Sequence, residues 1–405
     1  MAWEWKTLDQ LGSVSRGRSK HRPRDDESLY GGIYPFIQTA DVKRSNFYIT
    51  EYSQTYNERG LAQSKLWRAG TLCFTIAANI ADSAILGIDA CFPDSIMGFI
   101  PYEGVSDVRF VKYCFDVLQQ QCKQISQGAT QDNLSWEKLS TIKFPAPDYK
   151  TQQKIADILS AYDNLIENNQ KQIKLLEEAA QRLYKQWFID LRYPGHETTP
   201  IVDGLPEGWR KVTLGSALSK ITTGLNPRKN FVLGQGKNFY VTIKNMGENN
   251  IYLDDKCDRV NDEALEKINK RSDLKTGDIL FSGIGTIGRV YLIDIPTNNW
   301  NVSESVFTMR VNECVSKEFL YLMLLSDDVQ SYCDLHAHGV AQRGIRMADL
   351  KEYKFVLPEN KIIDSFTTMV EPIIEKTQIL RKSINYAAES RDRLLPKLMN
   401  GELEV

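Results

Sequence analysis

Most of the signatures that announce an enzyme, a secreted protein or a membrane protein are missing from this chain. Its 405 residues contain seven cysteines with no C-x-x-C pair, an odd number that implies reduced and mostly buried thiols rather than a disulfide framework. Only four histidines occur, His21, His196, His336 and His338. His336-Ala-His338 has no cysteine beside it and makes a poor zinc site, so it is read as a loop or turn. No apolar run approaches the ~20 residues that span a bilayer, and no signal-peptide pattern is visible around Trp3 and Trp5, so a cytoplasmic location is expected. The fourteen prolines are never adjacent, which excludes the N/D-P-P-Y/F loop with which amino-methyltransferases grip a flipped base. A G-x-x-x-x-G-K-[ST] phosphate loop is absent too. The nuclease pattern, Pro-Asp followed by E-x-K, fails because Glu4-Trp-Lys6 precedes every Pro-Asp and Glu359-Asn-Lys361 is far from any. Gly283-Ile-Gly285-Thr-Ile-Gly288 matches the dinucleotide fingerprint, but a second strand-like run follows it, so a glycine-rich hairpin is expected. A net charge of -2 argues against a protein that coats nucleic acid indiscriminately.

What the chain does contain is a duplication. Trp5-Lys-Thr-Leu-Asp-Gln-Leu-Gly12 returns as Trp209-Arg-Lys-Val-Thr-Leu-Gly215, and Ala69-Gly70-Thr-Leu-Cys-Phe74 returns as Thr276-Gly277-Asp-Ile-Leu-Phe281. Gly128-Ala-Thr-Gln131 returns as Gly339-Val-Ala-Gln342. Each copy mixes short β-like runs (residues 33–37, 71–77, 279–282 and 289–295) with one helical stretch (residues 111–125 and 317–332), which points to an α/β or α+β recognition domain. The boundaries read as a first globular domain over residues 1–148, a helix over 149–193, a Pro/Gly-rich linker over 194–208, a second domain over 209–357 and a second helix over 358–405.

Both helical segments carry a heptad seam. In the first it passes through Tyr162, Ile166, Asn169, Ile173, Leu176 and Leu183; in the second through Ile373, Thr377, Leu380, Ile384 and Leu394, at a constant offset of 211 residues. A stripe this narrow wants one partner helix, and the other copy is the obvious one. The polar positions Asn169, Thr377 and Arg391 would fix the register of such a coiled coil.

With catalytic motifs excluded, binding remains, and its candidates are polar, glycine-bearing loops at matching places in the two copies. Arg16, Arg18, Lys20, Arg22 and Arg24 correspond to Asn226, Arg228 and Lys229. Gln38 and Lys43 correspond to Lys244, and Gln131 and Asn133 to Gln342, Arg343 and Arg346. Arginine, lysine, asparagine and glutamine are the side chains that discriminate purine edges in the major groove of DNA. The competing class is a non-catalytic adaptor whose two β-rich modules bind proteins.

These features together resemble the specificity subunit of a type I restriction-modification enzyme, over essentially the whole chain. The carriers are Trp5-Lys-Thr-Leu, Gly204-Leu-Pro-Glu-Gly-Trp209, the segment around Gln131, and the helix endings Leu183-Tyr-Lys-Gln-Trp-Phe188 and Leu394-Leu-Pro-Lys-Leu-Met-Asn-Gly401. The resemblance implies two pseudo-symmetric target recognition domains, joined by two long helices in an antiparallel coiled coil. Each domain would read one half of a split double-stranded DNA site. It further implies no catalysis on this chain, which would dock two methyltransferase subunits and two restriction or motor subunits. S-adenosylmethionine, ATP and magnesium would be bound by those partners, and no cofactor or metal by this chain.

Overall fold

A computed structural model describes residues 3–76, 82–125, 136–339 and 343–405, with the side chains of 120–125, 136 and 138 outside the description. The chain divides into two compact units, one made of Met1–Lys171 with Arg381–Val405, the other of Gln172–Leu380. Both divisions fall inside the long helices, so each unit owns half of each helix and is built from globular domain plus helix pair. That differs from the sequence reading, which set the helices apart as separate segments.

The same architecture is laid down twice. In the first unit a sheet runs in the order Gly12–Arg16, Ile96–Pro101, Leu72–Thr75, Ser83–Leu86, with Tyr48–Ile49 added at its edge. The second unit repeats the four-strand order as Leu218–Thr223, Val306–Val311, Ile279–Ser282, Val290–Leu292. A smaller sheet accompanies each. Tyr30–Phe36 lies between antiparallel Gln54–Tyr56 and parallel Ala90–Cys91, as Asn238–Val241 lies between antiparallel Asp258–Val260 and parallel Trp300–Val302. A two-stranded ribbon closes each domain, Glu4–Lys6 on Phe144–Ala146 and Arg210–Thr213 on Lys354–Leu357. The central strands are buried on both faces, which is why they read as continuous apolar runs.

The glycine-rich segment is the expected hairpin: Ile279–Ser282 pairs antiparallel with Val290–Leu292, and Gly285 and Gly288 take positive φ in the turn. The helical stretch expected over residues 317–332 is instead two helices, Lys317–Leu324 and Asp327–Leu335. Ser326 turns its hydroxyl back to the Met323 carbonyl at 2.7 Å, and Asp327 and Asp328 then favour a fresh helix N-terminus. The stretch read as a linker is ordered too. Asp203 and Gly204, both at positive φ, turn a short hairpin between Ile201–Val202 and Leu205–Pro206, and Tyr193 stacks near Trp209 with ring centroids 4.8 Å apart.

The long helices are Tyr149–Tyr184, 36 residues, and Asn360–Met399, 40 residues. Asp148 caps the first, accepting from the Thr151 N–H at 3.1 Å and from its hydroxyl at 2.7 Å, and these bonds hold the Asp148 carboxyl below the usual carboxylate range. Within each unit the helix halves lie antiparallel. In the first unit Asn169 donates to Ser383 at 3.0 Å while Asp163 receives Arg391, so partner numbers fall as the first helix advances. In the second unit Tyr184 and Trp187 meet Phe366, with centroids 6.3 and 5.6 Å apart.

Burial along the helices shows where a simple seam breaks down. Ile166, Asn169, Thr377 and Leu380 are buried, and Ile173, Leu176 and Ile384 are half-buried. Tyr162, Leu183, Ile373 and Leu394 are also only half-buried; the fully covered neighbours are Asp163, Tyr184, Ile374 and Leu395. The displacement is one residue toward the C-terminus and falls at positions that match between the copies. Its cause is that these stretches pack on their own globular domain as well as on the other helix, which widens the covered face beyond a coiled-coil stripe.

Candidate nucleic-acid interface

In the second unit five loops meet at one end of the main sheet, joined by direct hydrogen bonds. The loop after Leu218–Thr223 is fastened to residues 302–305: Gly224 N–H donates to the Ser303 carbonyl at 3.2 Å and Asn226 Nδ2 to Glu304 Oε1 at 2.6 Å. The next link is Gly283 N–H to the Ser305 carbonyl at 2.9 Å. The glycine hairpin then binds the segment of Arg343, through Gly285 N–H to the Arg343 carbonyl at 2.7 Å and Ile345 N–H to the Gly283 carbonyl at 2.8 Å. Arg289 completes the set by donating to the carbonyls of Ile243 and Met246, on either side of Lys244.

The first unit repeats the opening of this arrangement. Gly17 N–H donates to the Ile96 carbonyl at 2.8 Å and Arg18 N–H to that of Phe92 at 3.0 Å. Ser64 Oγ donates to the Arg18 carbonyl at 2.7 Å, and Gln63 Oε1 accepts from His21 N–H at 3.0 Å. Glycine is required at the contact in both copies. A Cβ on Gly17 would lie 2.2 Å from the Pro93 carbonyl oxygen, and one on Gly224 only 1.6 Å from that of Val302.

The residues singled out from sequence have unequal surroundings. Arg16, Arg18, Lys20, Lys43, Arg228, Lys229, Lys244 and Arg346 are exposed, and their side chains make no ion pair among the described residues. Arg22 and Arg24 are engaged instead: Arg24 Nη2 is 2.5 Å from Asp94 and Arg22 Nη2 is 3.7 Å from it, while Arg22 Nη1 also donates to the Ser19 and His21 carbonyls. Asn226 is occupied at both ends of its amide, with Oδ1 accepting from the Arg228 N–H at 2.9 Å. Gln38 donates to Gln54 at 2.5 Å. Arg343 donates to the Asp334 carbonyl at 2.8 Å. Gln131, Asn133 and Gln342 lie outside the described residues.

Two acidic residues escaped the sequence reading. Asp94 and Glu304 occupy the same place in the two copies, two residues before the central strands Ile96–Pro101 and Val306–Val311, and each grips the first candidate loop. Burial, reinforced by the Glu304 charge, pushes the Tyr240 phenol well above its ordinary value, so its hydroxyl remains a donor, to the Leu225 carbonyl at 2.7 Å, with Glu304 at 3.3 Å. The recurrence of Pro93-Asp94-Ser95-Ile96 as Ser303-Glu304-Ser305-Val306 was visible in the sequence; that it holds a basic loop was not. His336 stacks on Tyr332 at 3.9 Å and His338 lies 3.3 Å from Asp349, and no metal-holding cluster exists among the described residues.

Two like units, each with a fastened cluster of polar loops and half of a helix pair, define a duplicated binding protein. The sequence profile of the type I restriction modification DNA specificity domain matches residues 2–178 and again 206–385, and the chain belongs to that family. It is similar to the type I restriction enzyme MjaIX specificity subunit of Methanocaldococcus jannaschii, 28% identical over 100% of this chain and 94% of the relative. Similarity to the HindI specificity subunit of Haemophilus influenzae is 24%, over 99% and 100%. Among solved structures, the S subunit of a type I restriction-modification system from M. genitalium shares the fold, with TM-score 0.60 and 16% identity over 98% of this chain and 96% of that one. No described helix is long and apolar enough to cross a membrane.

Proposed function

We propose that the chain is the sequence-specific DNA-recognition subunit of a type I restriction-modification complex, each unit reading one half of a bipartite duplex site. The carrying observation is the repetition of one loop-fastening scheme with different side chains, five cations at residues 16–24 and one amide with two cations, Asn226, Arg228 and Lys229, at 226–229. Scaffolds held alike under divergent loops suit two different half-sites. Exposed arginines and lysines at the cluster supply phosphate contacts and base-edge donors, which respectively position the protein and specify the sequence. The long helices set the spacing between half-sites and dock two methyltransferase subunits, and through them two restriction or motor subunits. The chain itself is non-catalytic. S-adenosylmethionine, ATP and magnesium belong to the partners, as the resemblance to type I specificity subunits implies.

The test is co-expression with a type I methyltransferase subunit from the same genome, followed by genome-wide mapping of N6-methyladenine. Methylation confined to one split sequence is the expected result. Methylation without sequence preference, or none, would overturn the reading.

A further inference from the structure

The two copies fasten the first loop at the same turn but differ in the charge of what is held. Asp94 takes two guanidinium groups, Arg24 at 2.5 Å and Arg22 at 3.7 Å. Glu304 takes a neutral amide, Asn226 at 2.6 Å, and the Tyr240 hydroxyl. We propose that Asp94 is a specificity-determining residue, withholding Arg22 and Arg24 from indiscriminate phosphate contact while fixing the loop that presents Arg16, Arg18 and Lys20. Glu304 performs only the second of these tasks.

The argument runs from charge and geometry. Five cations lie within residues 16–24 of the first unit, and a loop that dense would hold any duplex by counterion release, without regard to sequence. Pairing two of them with one carboxylate reduces that indiscriminate component and leaves the three unpaired cations, Arg16, Arg18 and Lys20, for the groove. The side chains concerned are exposed, 38% for Asp94, 54% for Arg22 and 49% for Arg24, so the pair adds little to folding and acts chiefly on what the loop presents. The path of the loop has other anchors, because the Gly17 and Arg18 N–H groups donate to main-chain carbonyls and Arg22 also holds Ser19 and His21. Removing the Asp94 charge therefore frees Arg24 and leaves the Arg22 charge uncompensated on its Ser19 and His21 carbonyls, without dismantling the loop. In the second unit, truncating Glu304 removes the hydrogen bond to Asn226 and releases no cation.

This inference rests on the DNA-recognition reading above, and its test separates the two. The full chain, assembled with its methyltransferase partner, is titrated by fluorescence anisotropy against a duplex carrying the mapped site and against duplexes with either half-site scrambled. Salt is varied over about 50–200 mM. Asp94→Asn is expected to raise affinity for scrambled duplexes about five- to tenfold at low salt and to steepen the salt slope by about one to two. Discrimination should fall at one half-site only, and Asp94→Glu should restore wild-type behaviour. Glu304→Ala, which removes the acceptor for the Asn226 amide, should lower discrimination at the other half-site with the salt slope unchanged. An Asp94→Asn complex with wild-type slope and discrimination overturns the inference. So does loss of cognate affinity alone, which would assign Asp94 to direct base contact. If the wild-type complex fails to distinguish the scrambled duplexes, it is the DNA-recognition reading that falls.

Discussion

The guanidinium of Arg391 donates to the carboxylate of Asp163, and the other oxygen of that carboxylate accepts the Tyr113 hydroxyl at 2.6 Å. Asp163 is buried, so helix pair and globular domain share one charge that neither could hold alone. Burial by itself would lower the Arg391 pKa; the Asp163 carboxylate more than offsets it, and the guanidinium stays charged. Arg391→Met should destabilise the protein by roughly 2–4 kcal/mol by stranding Asp163, whereas Arg391→Met with Asp163→Leu and Tyr113→Phe, which strands neither the carboxylate nor the hydroxyl, should recover most of the loss. Denaturant unfolding of both variants checks this; equal destabilisation would show that the pair is not coupled.

The helices can be lengthened where the units divide. Four residues added after Lys171 and four after Leu380 leave the internal pairing of each unit intact, because the division falls at those points. The addition lengthens each helix by about 6 Å. Methylation mapping is expected to return the same two half-sites with an altered gap; an unchanged gap would remove the helices as a ruler.

Gly98, in the middle of a central strand, leaves room for the buried Trp67. A Cβ there would come within 2.5 Å of the indole, which is itself stacked on Phe92 at 4.7 Å. Gly98→Ala should therefore cost about 1–3 kcal/mol, read as a lowered unfolding midpoint, because both rings are enclosed and cannot retreat.

Gly224→Ala addresses recognition rather than the core. The Val302 carbonyl blocks a methyl group at that position, so the loop bearing Arg228 and Lys229 must lift from its turn. Reduced discrimination at one half-site, with the other unaffected in the same methylation assay, is the expected outcome; loss at both would mean the whole fold had failed.

Much of the architecture could be read from the chain. The repeated motifs mark equivalent strands, and the heptad stripes mark both helices, because periodicity is set by which face is buried. Reading failed wherever a side chain's partner is distant in sequence. Arg22 and Arg24 look like free cations until Asp94, some seventy residues on, is seen beside them. The break at Ser326 was missed because the apolar pattern continues across it, and the widened face at Asp163 and Ile374 because a stripe assumes one packing partner where there are two.

The division of the helices has a consequence for biosynthesis. The second unit is one continuous stretch of chain, but the core of the first takes Leu395, Leu398 and Met399 beside Phe110, Phe115 and Leu159. The domain that leaves the ribosome first thus waits for residues translated more than two hundred codons later, and until they arrive its apolar groove stands open. For as long as the C-terminal helix is unmade, the N-terminal half exposes the kind of apolar surface that chaperones bind.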